Sequence, residues 1–339
     1  MLPERLKIFY NTILCQTISS DGCYLFAGNN FGEIFVYNIS HICAEPNESA
    51  SQEIRQTSVR PVQIFETAEK GSQIHSLAFH NNFVIVGTRN ATVTGYSWIK
   101  NEISKKVWEV KLSSKSNKDS VDSKWIEVNS FWLDKANSLL YAGCGDNQIY
   151  AIRLDCGVVE REFDGHTDYV LSVYGLATDH RLFSGSEDGT VKFWDRRIEQ
   201  STDQIKPYEN SKLQRPELGK WIGTVSATDD WIVCGGGAKF SLWHLRSLEC
   251  TTVYNYPGKA QVSGFLEDSV YVAGDSSKLH QFTLNGETTS EIPVSGPAVY
   301  SVVYQNDPFK IMSIAGASKN LDICTNFNYK DIVLNLYDK

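Results

Sequence analysis

No stretch of this 339-residue chain comes near the ~20 consecutive apolar residues that a membrane-spanning helix needs. Residues 1–10 are charged and their apolar positions are interrupted, which does not read as a secretory signal. Excess positive charge is missing too. The formal net charge is −8, so overall charge does not indicate a nucleic-acid-binding surface. Eight cysteines are scattered with no C-x-x-C pair, and no histidine lies at zinc-ligand spacing from them. They read as small hydrophobes in an intracellular, reduced protein. Gly235-Gly236-Gly237 is the most glycine-rich point, but no Gly-Lys-Ser/Thr follows it. It reads as a tight turn, not a phosphate cradle. Helical periodicity is almost absent. The one candidate is residues 2–14, where Leu6, Phe9, Tyr10 and Ile13 fall at steps of three and four.

What is present is a repeat. Residues 165–197 read GHTDYVLSVYGLATDHRLFSGSEDGTVKFWDRR. The segment opens on Gly-His, closes on Trp-Asp and holds a Ser-x-Asp-Gly turn between them. That is the signature of one WD-repeat blade of a β-propeller. A blade cannot bury both faces alone, so one clear blade implies weaker ones beside it. Each unit has a small residue and a glycine ending one strand, a short polar turn, then an alternating strand rich in aromatics. The marker glycines are Gly28, Gly87, Gly143, Gly185, Gly235, Gly274 and Gly316, at spacings of 59, 56, 42, 50, 39 and 42 residues. The shortest spacings match the ~40–45 residues of a four-stranded blade, and the longer ones require insertions.

The expected fold is all-β: a seven-bladed propeller of four-stranded antiparallel blades forming one domain over residues 1–339, with 1–12 as an extension holding the short helix. Within each unit an apolar run such as IHSLAFH (74–80) or VYSVVYQ (299–305) comes first. The strand ending at the glycine follows, then the period-2 strand. A polar rim strand comes last, as in residues 106–112, 157–163 and 287–294. For ring closure, residues 329–337 can supply the outer strand of blade seven, the solution favoured here. Residues 7–14 offer the alternative.

In blade four, His166, Ser184 or Ser186, Asp188 and Trp194 are expected to form a buried hydrogen-bond chain. The competing reading, a Ser-His-Asp hydrolase site, lacks a strained nucleophile elbow around either serine. The other blades lack the full set and are expected to be held mainly by apolar packing. No paired carboxylates, metal cluster or activated nucleophile emerges, so no enzyme, cofactor, metal or small-molecule substrate is expected. Three insertions interrupt the repeat, at 41–61, 113–124 and 199–219, the last including the rim strand of blade four. Lys105, Lys106, Lys111, Lys115 and Lys118 form a diluted basic cluster that reads as a solvated loop.

Several stretches carry a resemblance: AGNNFGEIFVY (27–37), GHTDYV (165–170), SGSEDGTVKFWD (184–195), GKWIG (219–223), DWIVCGGG (230–237), LWHLRS (242–247) and TNFNYK (325–330). Together they resemble the subunit 6 family of the THO complex, and GKWIG with DWIVCGGG and LWHLRS are the specific part. The resemblance implies a nuclear, non-enzymatic scaffold within the THO/TREX assembly that couples transcription to mRNA processing and export. It implies contacts with other THO/TREX subunits, coiled-coil ones among them, an indirect association with mRNA and none with membrane. Trp221 and Arg246 are the residues expected to face partners. A second reading comes from Trp194-Asp195-Arg196-Arg197, which matches the W-D-x-R pattern of substrate receptors of cullin-type ubiquitin ligases. In that case Arg197 would contact the ligase adaptor.

Overall fold

Short alternating strands separated by tight turns cannot each bury two faces, and here they stack radially into seven sheets that share one axis. The computed structural model describes residues 4–40, 42, 55–57, 59–113 and 126–337. Each blade takes four strands, a to d, paired antiparallel in chain order from axis to rim. Blade one is Ile13–Ile18, Tyr24–Asn29, Glu33–Asn38 and Gln63–Glu66, and blade two is Ile74–His80, Phe83–Thr88, Thr92–Ile99 and Glu102–Lys111. Blade three is Val128–Asp134, Leu139–Cys144, Ile149–Arg153 and Val159–Phe163. Blade four is Val170–Gly175, Arg181–Ser186, Val191–Asp195 and Ser201–Ile205. Blade five is Ile222–Ala227, Trp231–Gly236, Ser241–His244 and Glu249–Val253. Blade six is Ala260–Leu266, Ser269–Gly274, Lys278–Thr283 and Thr288–Pro293. Blade seven is Val299–Gln305, Ile311–Gly316, Asn320–Cys324 and Ile332–Asn335.

The expected fold is therefore the observed one. The ring closes with all four antiparallel strands of blade seven from the C-terminal end. The segment offered as the alternative instead leads into the innermost strand of blade one. A short helix, Glu4–Phe9, precedes it. One element was not foreseen. Arg55–Thr57, from the first insertion, pairs parallel to Ile332–Asn335 as a fifth strand of blade seven. Most of the second insertion, including Lys115 and Lys118, lies outside the described residues.

Apolar side chains fill every seam between successive blades. At the closing seam Ile13, Phe35 and Tyr37 meet Ile311, Leu321 and Leu334. Nearer the axis, polar side chains stitch neighbouring inner strands. Ser76 Oγ donates to the Val128 carbonyl at 2.9 Å, and Ser130 Oγ and Ser172 Oγ accept from the amides of Val173 and Val225, both at 3.1 Å. Gln16 Nε2 donates to Ser301 O at 3.2 Å and closes the circle.

The same bulge recurs in all seven blades, between the first and third residues of strand a. In blades one to five the marker glycine pairs with that third residue, as Gly143 does with Ser130. A Cβ on Gly143 would lie 2.6 Å from Val173 of the next blade, so only glycine lets the sheets approach this closely. Blades six and seven differ by one residue from the spacing-based alignment. Ala273 and Ala315 hold the marker position, and Gly274 and Gly316 pair with the first residue of strand a. There the glycines serve backbone approach: a Cβ would stand 1.9 Å from Lys259 O and 2.0 Å from Ala298 O.

The b–c turns and the d–a connections share one face of the disc, called upper here. One backbone bond repeats seven times across it: Asn30 N to Thr12 O, Arg89 to Gln73, Gly145 to Glu127, Glu187 to Tyr169, Gly237 to Trp221, Asp275 to Lys259 and Ala317 to Ala298. The a–b and c–d turns form the lower face.

Candidate functional site

The blade-four residues singled out by spacing come together at the upper face. His166 Nδ1 lies 2.8 Å from Asp188 Oδ2, and Nε2 lies 2.7 Å from Ser184 Oγ. Trp194 Nε1 donates to the same Ser184 Oγ at 2.8 Å. An indole only donates and a carboxylate only accepts. The ring therefore carries its proton on Nδ1, and Ser184 donates to Nε2. Burial alone would raise the Asp188 carboxyl, but hydrogen bonds from His166 and Thr190 outweigh it and hold the group well below the usual carboxylate range.

Of the two candidate serines, Ser184 is the member of the chain. Ser186 Oγ instead accepts from the Asp188 amide at 3.1 Å and donates to Asp168 O at 2.9 Å, shaping the turn. Thr190 was missed by sequence reading. Its hydroxyl donates to Asp188 Oδ1 at 2.7 Å, and a Thr two residues after a turn Asp is the signal that could have found it. Ser184 has no exposed surface and both its bonds are taken, so its oxygen has no path to a substrate carbonyl.

The other blades are not held by apolar packing alone. In blade two, Glu69 on the d–a connection accepts from Thr88 Oγ1 at 3.0 Å and Thr92 Oγ1 at 2.9 Å. In blade three, Asp146 occupies the turn position of Asp188 and accepts from Tyr150 Oη at 2.5 Å. In blade seven, the buried Asp322 accepts from Ser295 Oγ at 2.5 Å and pairs with Lys330 at 3.2 Å. Thr88, Thr92 and Asp146 stand at the positions of Ser186, Thr190 and Asp188, whereas Asp322 lies on strand c of blade seven, so a search for the His-Ser-Asp-Trp set passes over these networks.

The three residues expected to face partners do not cluster. Trp221 is half-buried at the upper end of blade five, where its Nε1 donates to Leu218 O at 2.9 Å and its ring lies against Gly223 and Gly236. Arg246 is exposed at the lower end of the same blade, 3.6 Å from Asp230. Arg197 is also on the lower face, on blade four. Its guanidinium clasps Asp195, with Nη2 at 2.6 Å and Nε at 2.9 Å. Its neighbour Arg196, which sequence reading passed over, is buried in the seam with blade three. It pairs with Asp134, donates to Leu176 O at 3.0 Å and stacks 4.8 Å from the Trp132 ring centroid.

Of the basic cluster, Lys105, Lys106 and Lys111 lie exposed on the rim strand of blade two, with Lys106 paired to Glu109 at 3.0 Å. The seven described cysteines are all unpaired. Burial pushes the Cys234 thiol up to about 12, and Cys15, Cys144 and Cys324 are shifted up by the same cause. Among the described residues no group of three His, Cys, Asp or Glu side chains is placed to hold a metal ion.

Comparison with known proteins agrees with this geometry. Residues 157–195 match the family described as WD domain, G-beta repeat, a span that holds the whole blade-four network. The chain is 42% identical to THO complex subunit 6 of Drosophila melanogaster over 99% of its own length and 93% of that protein. It is 30% identical to the Homo sapiens THO complex subunit 6 over 96% of its length and 93% of that protein, and equally to the Mus musculus homolog. With seven WD-type blades in place and this identity running almost end to end, the chain belongs to the THO complex subunit 6 family.

Proposed function

We propose that the chain is a non-catalytic scaffold of a THO-type assembly in the nucleus, supporting mRNA processing and export by holding other subunits at fixed separations. The observation that carries this reading is the near end-to-end similarity to proteins named as THO complex subunits. The architecture suits the role. A propeller leaves only short sheet edges at its rim, and its turns are presented from a rigid frame. Trp221 above and Arg246 and Arg197 below would engage partners on two faces, so one disc could bridge two neighbours. Other THO/TREX subunits, coiled-coil ones included, are the proposed contacts, with mRNA associated through them. The test is affinity purification of the tagged chain from nuclear extract followed by mass spectrometry. THO subunits should co-purify in near-stoichiometric amounts. Recovery of a cullin adaptor without any THO subunit would reject the proposal.

A further inference from the structure

Between the last strand of blade four and the first of blade five the chain makes two short 3-10 turns, Pro207–Glu209 and Pro216–Leu218. Arg215 pins this stretch to the disc. Its guanidinium donates to four backbone carbonyls: Gly236 at 2.7 Å, Gly237 at 2.9 Å, Gly258 at 2.9 Å and Ala238 at 3.1 Å. Gln214 Nε2 reaches Tyr208 O at 2.7 Å, and Lys239 N donates to Leu213 O at 3.0 Å. The stretch is thus a braced wall. It borders an open cleft of about 420 Å³ on the upper face, lined by Tyr208, Gln214, Arg215, Pro216 and Lys220 among others.

Two cations line that cleft, and among the described residues neither has a carboxylate within ion-pair distance. Arg215 is bonded only to neutral carbonyls, with Glu217 supporting its charge from farther off. Lys220 stands 5.4 Å over the Tyr208 ring. Buried or half-buried cations are normally neutralised, as Arg196 is by Asp134 a blade away. Arg215 is answered by those carbonyls, and Lys220 is left without a carboxylate partner among the described residues.

We infer that this cleft binds an oxyanion carried on a peptide: an Asp or Glu carboxylate, or a phosphoryl group, on a segment of a partner protein. The volume suits one or two side chains, and Tyr208 and Pro216 supply the apolar walls that fix a neighbouring residue. Lys220 supplies the point charge that such oxygens accept, and Arg215, most of whose donors are taken by the four carbonyls, adds positive charge beside it. Nucleic acid fits less well. On the same face, blades three and four carry Glu127, Asp168 and Glu187, close enough that the other two raise the Glu187 carboxyl after burial does. A long polyanion would run onto those carboxylates, whereas a short acidic peptide need not. The inference stands on the cleft's chemistry and holds whichever assembly the chain joins.

The experiment is fluorescence anisotropy with two fluorescein-labelled peptides, hexaglutamate and a Gly-Ser peptide with one phosphoserine. At least one should bind saturably, and the tighter identifies the preferred oxyanion. Lys220→Glu should weaken that binding by about tenfold or more, while Lys135→Glu on the lower face should leave it within about twofold. Lys220 is exposed, so its variant should keep the wild-type circular dichroism and melting curve. Failure of both peptides to bind, unchanged binding by Lys220→Glu, or an equal loss in Lys135→Glu would overturn the inference. So would an oligouridine that binds more tightly than either peptide and is lost in Lys220→Glu.

Discussion

Blades four and five stand side by side and carry a tryptophan at the same place in strand c, yet they hold it differently. Trp194 pairs with Leu182 and Trp243 with Ile232, so the two positions are equivalent in register. The Trp194 indole bonds to Ser184 on the adjacent strand and enters the Asp-His-Ser chain. In blade five the residue at the Ser184 position is Cys234, and Trp243 bonds instead to Ser241 on its own strand at 2.9 Å. The seams differ as well. Arg196 in the seam of blade four is answered by a carboxylate, whereas Arg215 above blade five is answered by four carbonyls. The lesson is that the ring at this position is retained for its packing. The donor it needs for its N–H, and the group that neutralises a nearby cation, can come from elsewhere.

Truncating the ring should give the largest effect. Trp194→Ala should cost about 3–5 kcal/mol in urea unfolding followed by circular dichroism, because it removes a buried aromatic and strands Ser184. Trp243→Ala, which breaks only a bond within one strand, should fall at or below about 3 kcal/mol. Equal losses would show that the Asp-His-Ser chain adds nothing to packing. Next comes the seam. Arg196→Met should cost about 3 kcal/mol by leaving the buried Asp134 without its counter-charge, and Asp134→Leu in the same chain should restore most of it. A double variant as unstable as the single one would assign the loss to stacking on Trp132.

The third test uses pH. Asp188 has a folded-state pKa below its unfolded value of about 3.9. Its contribution to stability is therefore complete above that value and is lost as pH falls through and below it. Wild-type melting temperature should drop as pH falls below about 4, and Asp188→Asn should flatten that slope while lowering the neutral-pH value. Parallel curves would place the acid sensitivity in another blade. The smallest effect belongs to Arg197. Its ion pair with Asp195 is exposed, so Arg197→Ala should leave the urea unfolding midpoint within error of the wild type. A larger loss would mean that the lower face of blade four depends on it.

Most of the architecture was legible because its causes are local. Period-2 alternation, a glycine at each sheet-to-sheet approach and a polar turn after it leave marks within a dozen residues. His166, Asp188 and Trp194 were legible for the same reason, since the blade motif fixes their spacing. The choice between Ser184 and Ser186 was not, because residues two apart on one strand point to the same face and both carry a hydroxyl. Gly274 and Gly316 were placed one residue off because Ala-Gly reads alike in either register. Arg196 was invisible for a different reason. Its partners Asp134 and Trp132 lie on another blade, more than sixty positions away in the chain. The acidic networks of blades two, three and seven were hidden because each draws on different residue types and, in Asp322, on strand c instead of the turn. Arg55–Thr57 was hidden because three polar residues carry no period.

That three-residue ribbon has a topological outcome. The seam where the first and last blades meet is spanned by chain from the N-terminal part, laid against the outermost edge of the C-terminal blade. It acts as a latch: Arg55–Thr57 can engage only once Ile332–Asn335 is in place, and it then covers the edge that strand would otherwise leave open. The two ends of the sequence are fastened both at the hub and at the circumference, so prying the disc open at its one non-sequential joint means undoing both at once.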